Sequence, residues 1–276
     1  MVDLSKKIQE TWGILEKNSE PSELRGVINL EFSFLHNLVV SKNINEINKL
    51  LKLFHAGSLI IIKNSFNIED LNFIKKYLIK NYNCKKSEFH KLKENCPNFH
   101  RVIGPEESKN YVIPSNRHDY YFFPWNRQKE EFDVFNIFYP KWRVIKLLSG
   151  LNPNEFENNT PKDGPIDRIL FREYPNGTGY LQAHRDPKTI RLVTGIHLSQ
   201  KGKDFEEGGL YFYKNNKEID VESNFEPGDI ALFYCSLKHG VKKVVSKKNK
   251  TGSRWWMCLT NPISDEVSKR IVQTPV

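Results

Sequence analysis

From Ile166 to Pro262 the chain is a series of short apolar runs cut apart by turn-forming clusters. The runs are DRILFREY, RLVTGIHLS, GGLYFYK, KEIDVE, GDIALFYC, HGVKKVV and RWWMCLTN, and the breaks include PNGTG, KNNK and EPGD. Glycine, asparagine and proline supply the backbone angles of tight turns, while β-branched and aromatic residues favour strands. Seven such strands in about a hundred residues predict an antiparallel sandwich or barrel of jelly-roll type.

The preceding residues have a different texture. Trp12, Ile14 and Leu15 sit at helical spacing, and INEINKLLKLF repeats the pattern, so the first 55 or so residues read as helices. GSLIIIKNSFNIEDLNFIKKYLIKNY predicts a strand, a turn and an amphipathic helix capped by Ser65 or Asn67, with Glu69 and Asp70 in its first turn. Residues 84–130 read as irregular, and EEFDVFNIFYPKWRVIKLLSGL predicts a helix that Pro140 kinks or splits. At 276 residues, 38% of them hydrophobic, the chain can bury one large core. Helices first and strands afterwards make the class α+β, with residues 1–56 as a helical extension packed on a single domain at 57–276.

The net charge is +9, mostly from lysine, which reflects either a coding bias or attraction for an anionic partner. Cys84, Cys96, Cys235 and Cys258 form no CxxC pair and suit reduced thiols better than disulfides. Charges occupy the N-terminus where a signal peptide needs an apolar segment, and the longest apolar run, SLIII, cannot span a bilayer. We expect a soluble, cytoplasmic protein with no membrane contact.

His184 and Asp186, in YLQAHRDPKTIRLVTGIHLS, are two residues apart at a strand end, and side chains at i and i+2 of a strand point the same way. His239 is the sole histidine of FYCSLKHGVKKV. Two imidazoles and one carboxylate with HxD spacing form a facial triad that holds ferrous iron and leaves three positions open. Arg254 opens the next predicted strand and can grip a carboxylate through two parallel hydrogen bonds. His118 and Asp119 are adjacent, lack the HxD spacing, and are read as outside the metal site.

YPNGTGYLQAHRD, RLVTGIHLS, EGGLYFY, EPGDIALFYCSLKHGV and GSRWWMCLTNP occur in an order that resembles the iron(II)- and 2-oxoglutarate-dependent dioxygenases, above all their prolyl hydroxylase branch. The likeness covers residues 166–262, is faint over GSLIIIKNSFNIEDL, and is absent before it. It implies a double-stranded β-helix core, cupin-like, with N-terminal and flanking helices. It also implies iron on His184, Asp186 and His239, the distal carboxylate of 2-oxoglutarate on Arg254, and dioxygen as oxidant. Tyr174 stands where the family has a tyrosine that hydrogen-bonds the co-substrate, and His197 where a prolyl hydroxylase has a tyrosine on the distal carboxylate. Related halogenases have glycine or alanine at the carboxylate position, so Asp186 favours hydroxylation. The stretch from His239 to Arg254 is long and holds Lys242, Lys243, Lys247, Lys248 and Lys250, which predicts an extended hairpin loop.

Arg168, Leu170, Arg172 and Tyr174 share one strand face. An inward Arg172 needs an anion, either the substrate or, at an edge, Glu173 or Asp167. Arg117 and Trp125, in PSNRHDYYFFPWNR, form either a substrate lid or an aromatic cluster packing helices on the sheet. The leading expectation is a hydroxylase of a small anionic or zwitterionic molecule, an amino acid or derivative, releasing succinate and carbon dioxide. A peptide hydroxylase is the alternative. A nucleic-acid demethylase ranks lower, since the second arginine that family carries six residues on is Thr260 here. A non-catalytic jelly-roll module ranks lower too, and oligomeric state is left open.

Overall fold

The computed structural model describes residues 2–83, 87–109, 113–188, 190–246 and 252–268. Cys84, Lys247, Lys248 and Lys250 lie outside them. In chain order the elements are α1 (Val2–Leu15), β1 (Gly26–Glu31), α2 (Phe32–Val40), α3 (Ile44–His55), β2 (Ser58–Lys63) and α4 (Ile68–Leu78). They continue with β3 (Phe99–Ile103), α5 (Pro105–Ser108), β4 (Ser115–Phe122) and α6 (Val134–Leu148). The remaining strands are β5 (Arg168–Tyr174), β6 (Tyr180–His184), β7 (Leu192–His197), β8 (Glu207–Lys214), β9 (Lys217–Asp220), β10 (Ile230–Tyr234), β11 (His239–Val245) and β12 (Arg254–Thr260).

The strands form one hydrogen-bonded array in the order β1-β2-β10-β7-β12-β5-β4-β6-β11-β8-β9, with β3 paired to β4. The array turns over at β4, whose first residues, Ser115 and Asn116, pair with β6 while His118–Phe122 pair with β5. Two sheets therefore face each other, giving the jelly-roll of an α+β fold. Alternate residues of the larger sheet face opposite layers, as the two-residue period requires. Ile60, Ile169, Phe171, Leu232, Met257 and Leu259 pack under the helices. Leu59, Leu170, Ala231, Phe233, Trp256 and Cys258 pack against Leu181, Leu210, Phe212 and Val241 of the smaller sheet. Being covered on both faces explains why β2, SLIIIK, is a continuous apolar run.

Trp12 ties α1 to α6 by donating its indole N–H to the Leu148 carbonyl at 2.8 Å. Asn67 caps α4, accepting the Glu69 N–H at 2.9 Å.

Four sequence expectations are corrected. Residues 26–31 form a strand, parallel to β2, with Ile28 and Leu30 turned to the helices, so the N-terminal region is not helical throughout. The segment 84–130 contains β3 and β4. β4 escapes a hydrophobic pattern because its buried positions Ser115, Arg117 and Asp119 are polar and satisfy one another. Pro140 does not split α6, which runs through it as one helix with Phe138, Tyr139 and Trp142 buried on either side. Lys242 and Lys243 lie within β11, which coincides with the predicted run HGVKKVV, and so are not part of the expected hairpin loop.

Candidate active site

His184 ends β6, His239 begins β11, and the two residues face each other in register. Their ring centroids are 4.4 Å apart. Asp186 lies two residues beyond β6, where its N–H donates to the Cys235 carbonyl at 3.0 Å and pins the chain to the end of β10. One ligand atom from each of the three residues falls within 4.8 Å of the other two.

The ring nitrogens are not equivalent. Nδ1–H of His184 donates to the Gln182 carbonyl and Nδ1–H of His239 to the Leu237 carbonyl, both at 2.9 Å. A carbonyl can only accept, so each Nδ1 carries the proton and each Nε2 presents its lone pair. Burial, with His239 next, pushes the His184 pKa down to about 4, which keeps the ring neutral at physiological pH. Asp186 Oδ2 is buried without a hydrogen-bond partner and lies 3.4 Å from His239 Nε2. Donors bonded at about 2.1 Å in adjacent coordination positions sit roughly 3 Å apart, so this donor set fits a divalent metal ion.

The triad opens into a cavity of about 400 Å³ between the sheets, whose walls include Tyr174, Leu181, Leu210, Val241, Arg254 and Trp256. Arg254 is 1% exposed, lies 5.3 Å over the Tyr174 ring and 4.9 Å over that of Trp256, and lines this cavity from β12.

No family model and no curated protein matches the sequence. Solved structures do match. A full-length Neurospora crassa protein, solved in complex with alpha-KG and 5-formyluracil, aligns at 13% identity over 88% of this chain and 86% of its own, with a TM-score of 0.52. JOX2, in complex with 2OG, Fe and JA, aligns at 12% over 93% and 84%, with a TM-score of 0.50. A Pseudomonas putida prolyl-4-hydroxylase aligns at 12% over 78% and 99%, also at 0.50. The fold is that of the iron(II)- and 2-oxoglutarate-dependent oxygenases.

Within this oxygenase fold Arg254 is not a free cation. Its Nε donates to Glu222 Oε1 at 2.8 Å and its Nη2 to Oε2 at 2.9 Å, leaving Nη1 buried and without a partner. Sequence reasoning missed Glu222, and the only local sign is the paired glycine of EGGLYFY. Gly209 has φ +99°, and a Cβ there would lie 2.4 Å from Glu222 Cγ. His197 is buried against Phe225, with Nδ1 3.4 Å from Glu222 Oε1, and is absent from the cavity wall. Its charged neighbour is Glu222, and its ring lies 4.6 Å from that of Trp256.

Arg168 and Arg172 both line the cavity, as the shared face of β5 requires. The anion beside Arg172 is neither Glu173 nor Asp167 but Asp119, 3.3 Å from Nε. Arg117 donates through Nε to both Asp119 oxygens at 3.1 Å, and Tyr121 adds its hydroxyl at 3.0 Å. Arg117 is thus a partner of Asp119, outside the cavity wall. Trp125 is remote: it stacks on Phe123 at 4.8 Å and donates to the Cys96 carbonyl at 2.7 Å. It packs with Cys96, Phe99, Phe123 and Ile166, and it forms no part of the cavity lining. Among the described residues, no helix is long and apolar enough to cross a membrane.

Proposed function

We propose that this chain is an iron(II)- and 2-oxoglutarate-dependent oxygenase that hydroxylates an unactivated C–H bond of a small anionic or zwitterionic molecule, an amino acid or a derivative. The observation that carries the reading is the convergence of two Nε2 lone pairs and an unpartnered Asp186 oxygen on one point of an interior cavity. Iron held there, with the oxo acid and dioxygen, supplies oxidative C–H chemistry, with succinate and carbon dioxide as co-products. The backbone carbonyls of Gln182 and Leu237 fix the imidazole tautomers, and Asp186 fills the position that a halogenase leaves open. Arg254 offers Nη1 toward the co-substrate.

The substrate class follows from charge. Arg117 and Arg172 share one carboxylate, Asp119, and Arg168 on the cavity wall donates to the Thr260 hydroxyl at 3.1 Å and lies over the Tyr121 ring. Uncompensated cations in a low-dielectric cavity favour an anionic ligand. A volume near 400 Å³ falls in the range of small-molecule sites, roughly 300–1,000 Å³. We place the protein in the cytoplasm, where the buried free thiols of Cys96, Cys235 and Cys258 stay reduced.

A succinate-release assay with iron, 2-oxoglutarate and a panel of amino acids and their acidic derivatives tests this. We expect turnover above the substrate-free background with at least one acidic member, abolished by His184→Ala. Turnover confined to peptides, seen as a gain of one oxygen in their mass, would overturn the small-molecule reading in favour of a peptide hydroxylase.

A further inference from the structure

We propose that Glu222 determines which 2-oxo acid this pocket accepts, because it presents the far end of a bound co-substrate with an ion pair in place of a free guanidinium. The inference rests on the oxygenase reading above. Glu222 is 1% exposed and anchored on several sides. Its carboxylate takes both Arg254 donors on the Nε–Nη2 edge, and Oε2 also accepts the Leu210 N–H at 2.6 Å. Its own N–H donates to Asp220 Oδ1 at 2.9 Å, and the missing side chain of Gly209 makes the space it occupies. A group held by this many contacts does not swing aside when a ligand arrives.

What remains for the ligand is Nη1, buried and unpartnered, on a residue that lines the cavity. The charges of Arg254 and Glu222 cancel, and His197 adds none, since burial pushes its pKa down and keeps it neutral. A carboxylate tail arriving at Nη1 is attracted by the guanidinium and repelled by the carboxylate behind it. An uncharged tail forgoes both effects and lies against Leu181, Leu210 and Val241. The pocket should therefore accept 2-oxo acids with uncharged tails beside 2-oxoglutarate, where an unpaired arginine would demand the dicarboxylate.

The test titrates zinc-loaded protein with 2-oxoglutarate and with 2-oxopentanoate by calorimetry, so the readout is a dissociation constant and not turnover. Wild type should bind the two acids within about tenfold of each other, and Glu222→Gln should tighten 2-oxoglutarate at least about tenfold while leaving 2-oxopentanoate nearly unchanged. A wild-type preference for 2-oxoglutarate above tenfold overturns the inference and leaves the oxygenase reading standing. So does a folded Glu222→Gln protein that binds the dicarboxylate no more tightly. If that variant does not fold, the wild-type ratio decides alone. Failure of both acids to bind zinc-loaded wild type overturns the oxygenase reading, and this inference with it.

Discussion

Asp119→Asn removes the carboxylate that Arg117 and Arg172 share without changing the volume of the side chain. Asp119 is fully buried; Arg117 Nε lies 3.1 Å from each of its oxygens and Arg172 Nε 3.3 Å from one. At that range two unit charges attract by about 5 kcal/mol when the effective dielectric is near 20. Withdrawal of the carboxylate from water consumes much of this, and the Arg172 side chain, 21% exposed, is partly screened. Leaving a buried charge without its partner costs about 3–5 kcal/mol, and we expect Asp119→Asn to fall in that range. Burial opposes ionisation of Asp119, but Arg117 and Arg172 outweigh it and hold its pKa below the ordinary 3.8. A depressed carboxylate contributes its stability above the unfolded value and loses it as pH falls through the folded one. The deficit should therefore be constant between pH 5 and 8 and shrink only below about 3.8. Urea unfolding followed by tryptophan fluorescence measures it. A loss under about 1 kcal/mol at pH 7, with an unchanged denaturant slope, would refute the claim that Asp119 is what makes this arginine cluster tolerable.

Three more outcomes are expected. A Cβ at Gly195 falls 1.7 Å from Trp256 Cζ2, so Gly195→Ala should displace the indole beside Arg254, cost about 1–3 kcal/mol in urea unfolding and weaken oxo-acid binding. Gly209→Ala, at φ +99° and against Glu222, should destabilise the fold by more than about 1 kcal/mol; an unchanged melting temperature would show that Glu222 is not held as described. Burial, then the neighbouring His118, pushes the His100 pKa down to about 4 from 6.5. Between those values the unfolded chain takes up a proton that the folded protein refuses, so about 3 kcal/mol present above pH 6.5 is lost by pH 4. Urea midpoints of His100→Gln measured from pH 4 to 7 should show a flatter acid limb than wild type.

The strands that carry the site could be read in advance because their cues are local. Turn residues end each run, and a two-residue period puts Arg168, Arg172 and Tyr174 of β5 on one face wherever β5 lies. The HxD spacing placed His184 and Asp186 together for the same reason, although Asp186 sits just past the strand. β1 was hidden by its short length and half-exposed alternation, and β4 because its buried positions hold an ion pair where apolar residues would mark a strand.

Neither spacing nor motif order says which charge meets which. Arg254 and Glu222 are 32 residues apart in the chain, and nothing near either names the other. Asp119 reaches Arg172 only because β4 lies beside β5. Residue periodicity is a property of a few neighbouring peptides and survives any tertiary arrangement, so strand faces and the pairing of His184 with Asp186 were written in the sequence, while His239 joins them only because β11 pairs with β6. The partner of a buried charge is selected by whatever the closed sheets bring within a few ångströms of it. That is why the Arg254–Glu222 ion pair belongs to the tertiary structure alone.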